Sequence, residues 1–145
     1  MRHENEMELV FESRSVNEGF ARVAVAAFMT QLNPTLEEVS DVKTAVSEAV
    51  TNAIVHAYKG RNGEDKILIE CAGETTDGYG GVLHIKITDF GCGIADVEKA
   101  LLPFYTTLAD DERSGMGFTI MQTFMSEFSV ESKQGAGTVV RMTKR

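Results

Sequence analysis

The spacing of hydrophobic residues changes along the chain, and the changes mark its elements. Met7, Leu9 and Phe11 alternate with polar residues, which predicts a strand over residues 7–13. From Ser15 to Leu32 the apolar positions take helical spacing. Asn33-Pro34-Thr35 interrupts them, and Thr35-Leu36-Glu37-Glu38 has the form of a capping box opening a second helix, expected to run to about Tyr58. Val42, Val46, Ala49 and Ala53 make its core stripe. Alternation returns over residues 66–71 and 82–89, two strands joined by a Gly-rich turn from Gly73 to Gly81. A third long helix is predicted over residues 114–126. Residues 128–132 and 138–143 then form a hairpin across Gln134-Gly135-Ala136-Gly137.

The predicted order is strand, helix, helix, strand, strand, loop, helix, strand, strand, which lacks the regular alternation of a doubly wound sheet. It points to an α+β fold: a two-layer α/β sandwich with a mixed, mostly antiparallel sheet and about three long helices on one face. The segment from Gly91 to Arg113 is long and weakly patterned, as lids and binding loops are. The first helix carries two apolar stripes, Val16, Phe20, Val23 and Ala27 on one side and Ala21, Val25, Phe28 and Leu32 nearly opposite. A helix on a sheet needs only one. The other either packs on neighbouring helices or remains exposed to bind a partner or a second copy.

Composition narrows the choices. The 145 residues are one domain's worth, and 14 Lys and Arg against 22 Asp and Glu give a net charge of −8. A phosphate-backbone binder is not expected from that balance, so no nucleic-acid contact is assigned. No apolar run is long enough to span a membrane and no secretory signal is visible, so the expected location is cytoplasmic. Cys71 and Cys92 make no disulfide framework and are read as small buried hydrophobes. The three histidines, His3, His56 and His84, lack the spacing of a structural zinc site.

Three short motifs carry candidate chemistry. Glu48, Asn52 and His56 lie four residues apart on the second helix; each step of four advances only about 40°, so they form one polar row at the rim of the core stripe. Asn gains nothing in a helix interior without a partner, although each residue alone also fits a plain solvated or helix-edge role. Asp89 in Asp89-Phe90-Gly91-Cys92-Gly93 shares its strand face with Leu83, Ile85 and Ile87 and should point inward. There it either caps the following turn or recognises a ligand in a pocket, with Gly91 and Gly93 admitting close backbone approach. Thr138, on one face with Val140 and Met142, reaches toward the same place. Arg113-Ser114-Gly115-Met116-Gly117 sets two glycines at a helix start, where free N–H groups and the dipole suit a phosphate. Thr106, Thr107 and Arg113 would add hydroxyl and guanidinium contacts.

In this order, E-A-V-T-N-A-I-V-H, D-F-G-C-G-I, P-F-Y-T-T and R-S-G-M-G-F, with Gly137-Thr138, resemble the boxes of the GHKL (Bergerat-fold) ATPase and kinase superfamily. That resemblance implies one ATP-binding kinase domain over residues 1–145. It assigns Mg²⁺ to Asn52, the adenine amine to Asp89, turn-shaping to Gly91 and Gly93, the phosphate loop to Gly115 and Gly117, and a water-mediated adenine contact to Thr138. SVNEGFARVAVAAF, KTAVSEAVTNAIVHAY, PFYTT and ERSGMGFTIM are similar, more narrowly, to the anti-sigma serine kinases of spore-forming bacteria. The resemblance implies a cytoplasmic homodimer that uses ATP and Mg²⁺ to phosphorylate a serine of an anti-anti-sigma factor and holds an RNA polymerase sigma factor of sporulation inactive. Glu48 then matches a general base and Arg22 a partner-docking residue. ADP is expected to leave the lid looser, and Thr106, Thr107 and Arg113 to read the γ-phosphate. The turn over residues 73–81 departs from the family pattern in being longer and richer in glycine. Rival readings are a sigma-B-type stress-response kinase, an ATPase of the superfamily, a detached histidine-kinase catalytic domain and a non-catalytic ATP-gated module.

Overall fold

The computed structural model describes residues 2–76, 80–102 and 116–145. Strand β1 (Arg2–Glu12) leads into helix α1 (Val16–Met29), which tightens into a 3₁₀ turn over Thr30–Leu32. Asn33 closes that turn in the left-handed region, φ 53°, a conformation its short amide side chain tolerates. Helix α2 (Leu36–Asn52) opens on the expected capping box: Thr35 Oγ1 accepts from Glu38 N at 3.1 Å and Glu38 Oε1 accepts from Thr35 N at 2.8 Å. Strands β2 (Lys66–Thr76) and β3 (Val82–Asp89) follow. Then come a one-turn helix α3 (Val97–Ala100), helix α4 (Gly117–Phe124) and the hairpin of β4 (Glu127–Ser132) and β5 (Thr138–Lys144).

The sheet order is β1-β2-β3-β5-β4, and all four described pairings are antiparallel, so the sheet is not mixed. One face carries the core. Ile67, Ile69 and Cys71 of β2, Leu83, Ile85 and Ile87 of β3, and Val140 and Met142 of β5 are buried against Val25 and Met29 of α1, Val42, Val46 and Val50 of α2, and Met121 of α4. Each of the fully buried Val and Ile side chains contributes on the order of 1.5–3 kcal/mol of burial free energy. Among the described residues no helix is long and apolar enough to cross a membrane.

Several expectations change. The third helix is eight residues, Gly117–Phe124, because Met125 turns to an extended backbone; among the described residues two helices are long. β2 runs five residues past Cys71, so Gly73 belongs to the strand, paired with Leu83, and the turn is shorter than residues 73–81. Gly81 is small for packing reasons: a Cβ there would lie 2.7 Å from Leu32 Cβ. On α1 the stripe of Ala21, Val25 and Leu32 is the buried one. Val16, Phe20 and Val23 are exposed, at 77%, 53% and 56%, and do not pack on neighbouring helices.

Candidate functional site

Helix α2 departs from α geometry immediately after Asn52. Residues Ala53–Ala57 form a π turn, with Tyr58 N donating to Ala53 O at 3.0 Å across five residues. π turns of this kind gather at functional sites. Glu48 and Asn52 keep the predicted four-residue spacing and are half-buried, and so is His56. The wider turn changes the helical pitch between Asn52 and His56.

The beginning of α4 meets this pair. A Cβ added at Gly117 would lie 3.0 Å from Asn52 Nδ2, 3.3 Å from Asn52 Oδ1 and 3.3 Å from Glu48 Oε2. The carboxylate, the carboxamide and the first residue of α4 therefore bound one point, and only a residue without a side chain leaves that point open.

The second cluster lies roughly 7 Å further along the same helix, where its π turn ends. Asp89 points inward as predicted and is 7% exposed. Gly91 N donates to its Oδ1 at 3.0 Å. Burial pushes the Asp89 carboxyl above the ordinary aspartate value, and backbone hydrogen bonds from Gly91 and Thr138 pull it back. Thr138 is opposite Asp89 in the β3–β5 register and is itself buried.

Two other segments grip the turn after Asp89. From the π turn, Ala57 O accepts from Cys92 N at 3.0 Å, and a Cβ on Gly91 would meet that same carbonyl at 2.3 Å. Tyr58 Oη accepts from Phe90 N at 2.6 Å and donates to Lys66 O at 2.7 Å. Burial raises the phenol above its ordinary value, which keeps the donated proton in place. From the β4–β5 turn, Ser132 Oγ accepts from Ile94 N at 2.7 Å, donates to Gly137 O at 2.9 Å and lies 2.8 Å from Thr138 Oγ1. Gly135 N donates to Cys92 O at 2.7 Å. Gly93 and Gly137 adopt φ of 72° and 87°, which L side chains rarely do, and a Cβ on either would strike a backbone carbonyl, Lys133 O at 2.1 Å or Asp89 O at 2.3 Å.

The structure thus brings Glu48 and Asn52 together with Gly117, and Asp89 together with Gly91, Gly93 and Thr138, along a single helix. Arg22 lies apart on the exposed side of α1, 3.5 Å from Glu18. Thr106, Thr107, Arg113, Ser114 and Gly115, and with them residues 103–113 of the expected lid, lie outside the described residues. Cys71 is buried as expected, its thiol pushed up to about 12 by desolvation. Cys92 corrects the sequence reading: it is exposed, because the Gly91 turn directs its Sγ to the surface carbonyls of His56 and Gly93. Sequence reasoning passed over Tyr58 and Ser132. An aromatic residue just past a helix end was the one available signal for Tyr58; Ser132 offered none.

Known proteins are similar to this chain in sequence and in fold. Residues 11–144 match the family model of the histidine kinase-like ATPase domain. The anti-sigma F factor of Caldanaerobacter subterraneus subsp. tengcongensis is 54% identical over 144 residues, 99% of this chain and 96% of that one. That of Clostridium botulinum (strain Eklund 17B) is 56% identical over 145 residues, again 99% and 96%. The RsbU and RsbW domains of Rv1364c from Mycobacterium tuberculosis superpose with a TM-score of 0.64 at 14% identity, covering 97% of this chain and 32% of that one. The mycobacterial sensor histidine kinase MprB gives 0.52 at 15% identity over 95% and 97%. These two structures match in fold. With more than half its residues identical to such relatives over nearly its full length, the chain belongs to the anti-sigma F factor family, built on a histidine kinase-like ATPase domain.

Proposed function

We propose that residues 1–145 act as one cytoplasmic ATP-binding domain that transfers the γ-phosphate of ATP to a serine of an anti-anti-sigma factor and holds an RNA polymerase sigma factor of sporulation inactive. The observation that carries this reading is the meeting of Glu48, Asn52 and Gly117 one helix segment away from inward-facing Asp89. Asp89, buried and oriented by Gly91 N, accepts from the exocyclic amine of the adenine, and Thr138 supports that contact. The open point at Gly117, with Gly115 and Ser114 before it, receives the phosphates against the N-terminus of α4. Thr106, Thr107 and Arg113 read the γ-phosphate.

The donor chemistry at α2 fits Mg²⁺. Asn52 offers a carboxamide oxygen and Glu48 a carboxylate, hard oxygen donors beside the phosphate position, and Mg²⁺ takes one or two protein oxygens together with phosphates and water. Among the described residues no group of three or more His, Cys, Asp or Glu would hold a metal alone, so a metal here is shared with the nucleotide. Asn52 would hold it, and when bound the ion would supply charge neutralisation to the phosphates. Glu48 takes the proton of the serine hydroxyl as that oxygen bonds to the γ-phosphorus. The bond from the γ-phosphorus to the bridging oxygen breaks and ADP departs.

Phe20, Val16 and Val23 form an exposed apolar stripe on α1 with Arg22 on the same helix, which supports a homodimer and partner-docking role for this surface. The direct test of the kinase reading uses labelled ATP, Mg²⁺ and a candidate anti-anti-sigma protein. Acid-stable label should appear on serine, and Glu48→Gln should abolish transfer while ATP still raises the melting temperature. Nucleotide binding with no transfer to any serine would instead favour an ATP-gated module without catalysis.

A further inference from the structure

The peptide between Asp89 and Phe90 is held from both ends. Its N–H, from Phe90, donates to Tyr58 Oη at 2.6 Å. Its C=O, from Asp89, lies so close to Gly137 that a Cβ there would be 2.3 Å away. A trans peptide is one rigid plane, so the phenol on one side and the glycine on the other fix its rotation. The Phe90 ring cannot do this, because it is 62% exposed. Tyr58 is itself anchored: it is 4% exposed, its backbone closes the π turn on Ala53 O, and its hydroxyl donates to Lys66 O at the start of β2. The rotation of that peptide sets where the Asp89 side chain leaves the backbone and where Gly91 N meets Oδ1.

We infer that the Tyr58 hydroxyl is a positioning residue for base recognition, holding the Asp89 carboxylate in the orientation that distinguishes a purine bearing a 6-amino group from one without it. The inference rests on the ATP reading of the site. Its chemistry is specific, since adenine presents an N–H donor at the position where guanine presents a carbonyl acceptor. A group that only stabilised the fold would affect every nucleotide alike. One that aims Asp89 affects the amine contact alone.

The test compares wild type with Tyr58→Phe, which keeps the ring and removes the hydroxyl, against two probes: ATP and purine riboside triphosphate, which lacks the 6-amino group. Wild type should prefer ATP. In Tyr58→Phe the affinity for ATP should fall about tenfold, the loss expected for one buried hydrogen-bonding partner, while the analogue binds as before. Loss of both in parallel, or of neither, overturns the assignment. Wild-type protein that binds neither probe overturns the nucleotide reading and this role with it. Amide hydrogen exchange in wild type decides the matter should Tyr58→Phe fail to fold. ATP should slow exchange at Phe90 and Gly91 more than at Ile87, and equal protection at all three overturns the role.

Discussion

Replacing Gly117 by Ala separates the fold from the chemistry. Gly117 is the first residue of α4 and is not among the positive-φ glycines, so Ala suits the backbone there. A helical Gly→Ala exchange is favourable by about 0.5–1 kcal/mol, somewhat less at a helix end. Against it stands crowding: the new methyl would lie 3.0 Å from Asn52 Nδ2 and 3.3 Å from Glu48 Oε2, so those tips must give by a few tenths of an ångström. Both are side-chain ends and can swing. The net change in stability should stay within about 1 kcal/mol, a melting shift of under about 4 °C for a domain of this size. The swing, however, moves the two groups assigned to phosphate transfer. Misplacement by 1 Å costs about a hundredfold in rate, and a few tenths should cost about tenfold. Thermal melts with and without ATP, alongside initial rates of transfer to the anti-anti-sigma partner, measure both quantities. A variant that melts like wild type and transfers at the wild-type rate would refute the convergence of α4 on α2. One that simply unfolds would refute the freedom of those two side-chain tips to swing. Gly91→Ala makes the contrast: its methyl meets the Ala57 backbone carbonyl at 2.3 Å, which cannot swing, so about 1–3 kcal/mol of stability should be lost.

Asp89→Asn should weaken ATP binding yet leave the unliganded protein as stable as wild type or more so at neutral pH. A carboxyl raised in the folded chain makes folding take up protons: its contribution is complete below the ordinary 3.8 and is lost as pH rises through the raised value. The stability advantage of the variant in denaturant titrations should therefore grow from mildly acid to neutral pH; an advantage that shrinks with rising pH contradicts the burial argument. Phe20→Asp, on the exposed stripe of α1, should convert a dimer to a monomer in sedimentation equilibrium with a stability change of no more than about 0.5 kcal/mol. An unchanged mass would remove this stripe from the dimer interface.

Legibility in the sequence followed the strength of local signals. β3 was placed at both ends because Leu83, Ile85, Ile87 and Asp89 alternate without a break, and the same alternation put Asp89 inward. The start of α2 followed from Thr35 and Glu38. The π turn was not legible, because Ala53-Ile54-Val55-His56-Ala57 has the composition of an ordinary helix and the reward for widening it comes from Cys92 N and Phe90 N, more than thirty residues away. The glycines at 73 and 81 read as a loop, when their smallness serves the packing of Leu32. For α1, periodicity identified two stripes and left open which was buried; that choice belongs to the sheet on which the helix rests.

Strand β5 pairs with β3 on one side and edge strand β4 on the other, so residues encoded after position 137 occupy the interior of the sheet, while Ser132 and Gly135 before them hold the turn that follows Asp89. A nascent polypeptide emerges from the ribosome N-terminus first. Its helices α1 and α2 and first three strands can assemble while the turn after Asp89 still lacks the contacts that Ser132, Gly135 and Gly137 supply. The turn that follows Asp89 therefore takes its final hydrogen bonds late in translation, once the β4–β5 hairpin has emerged.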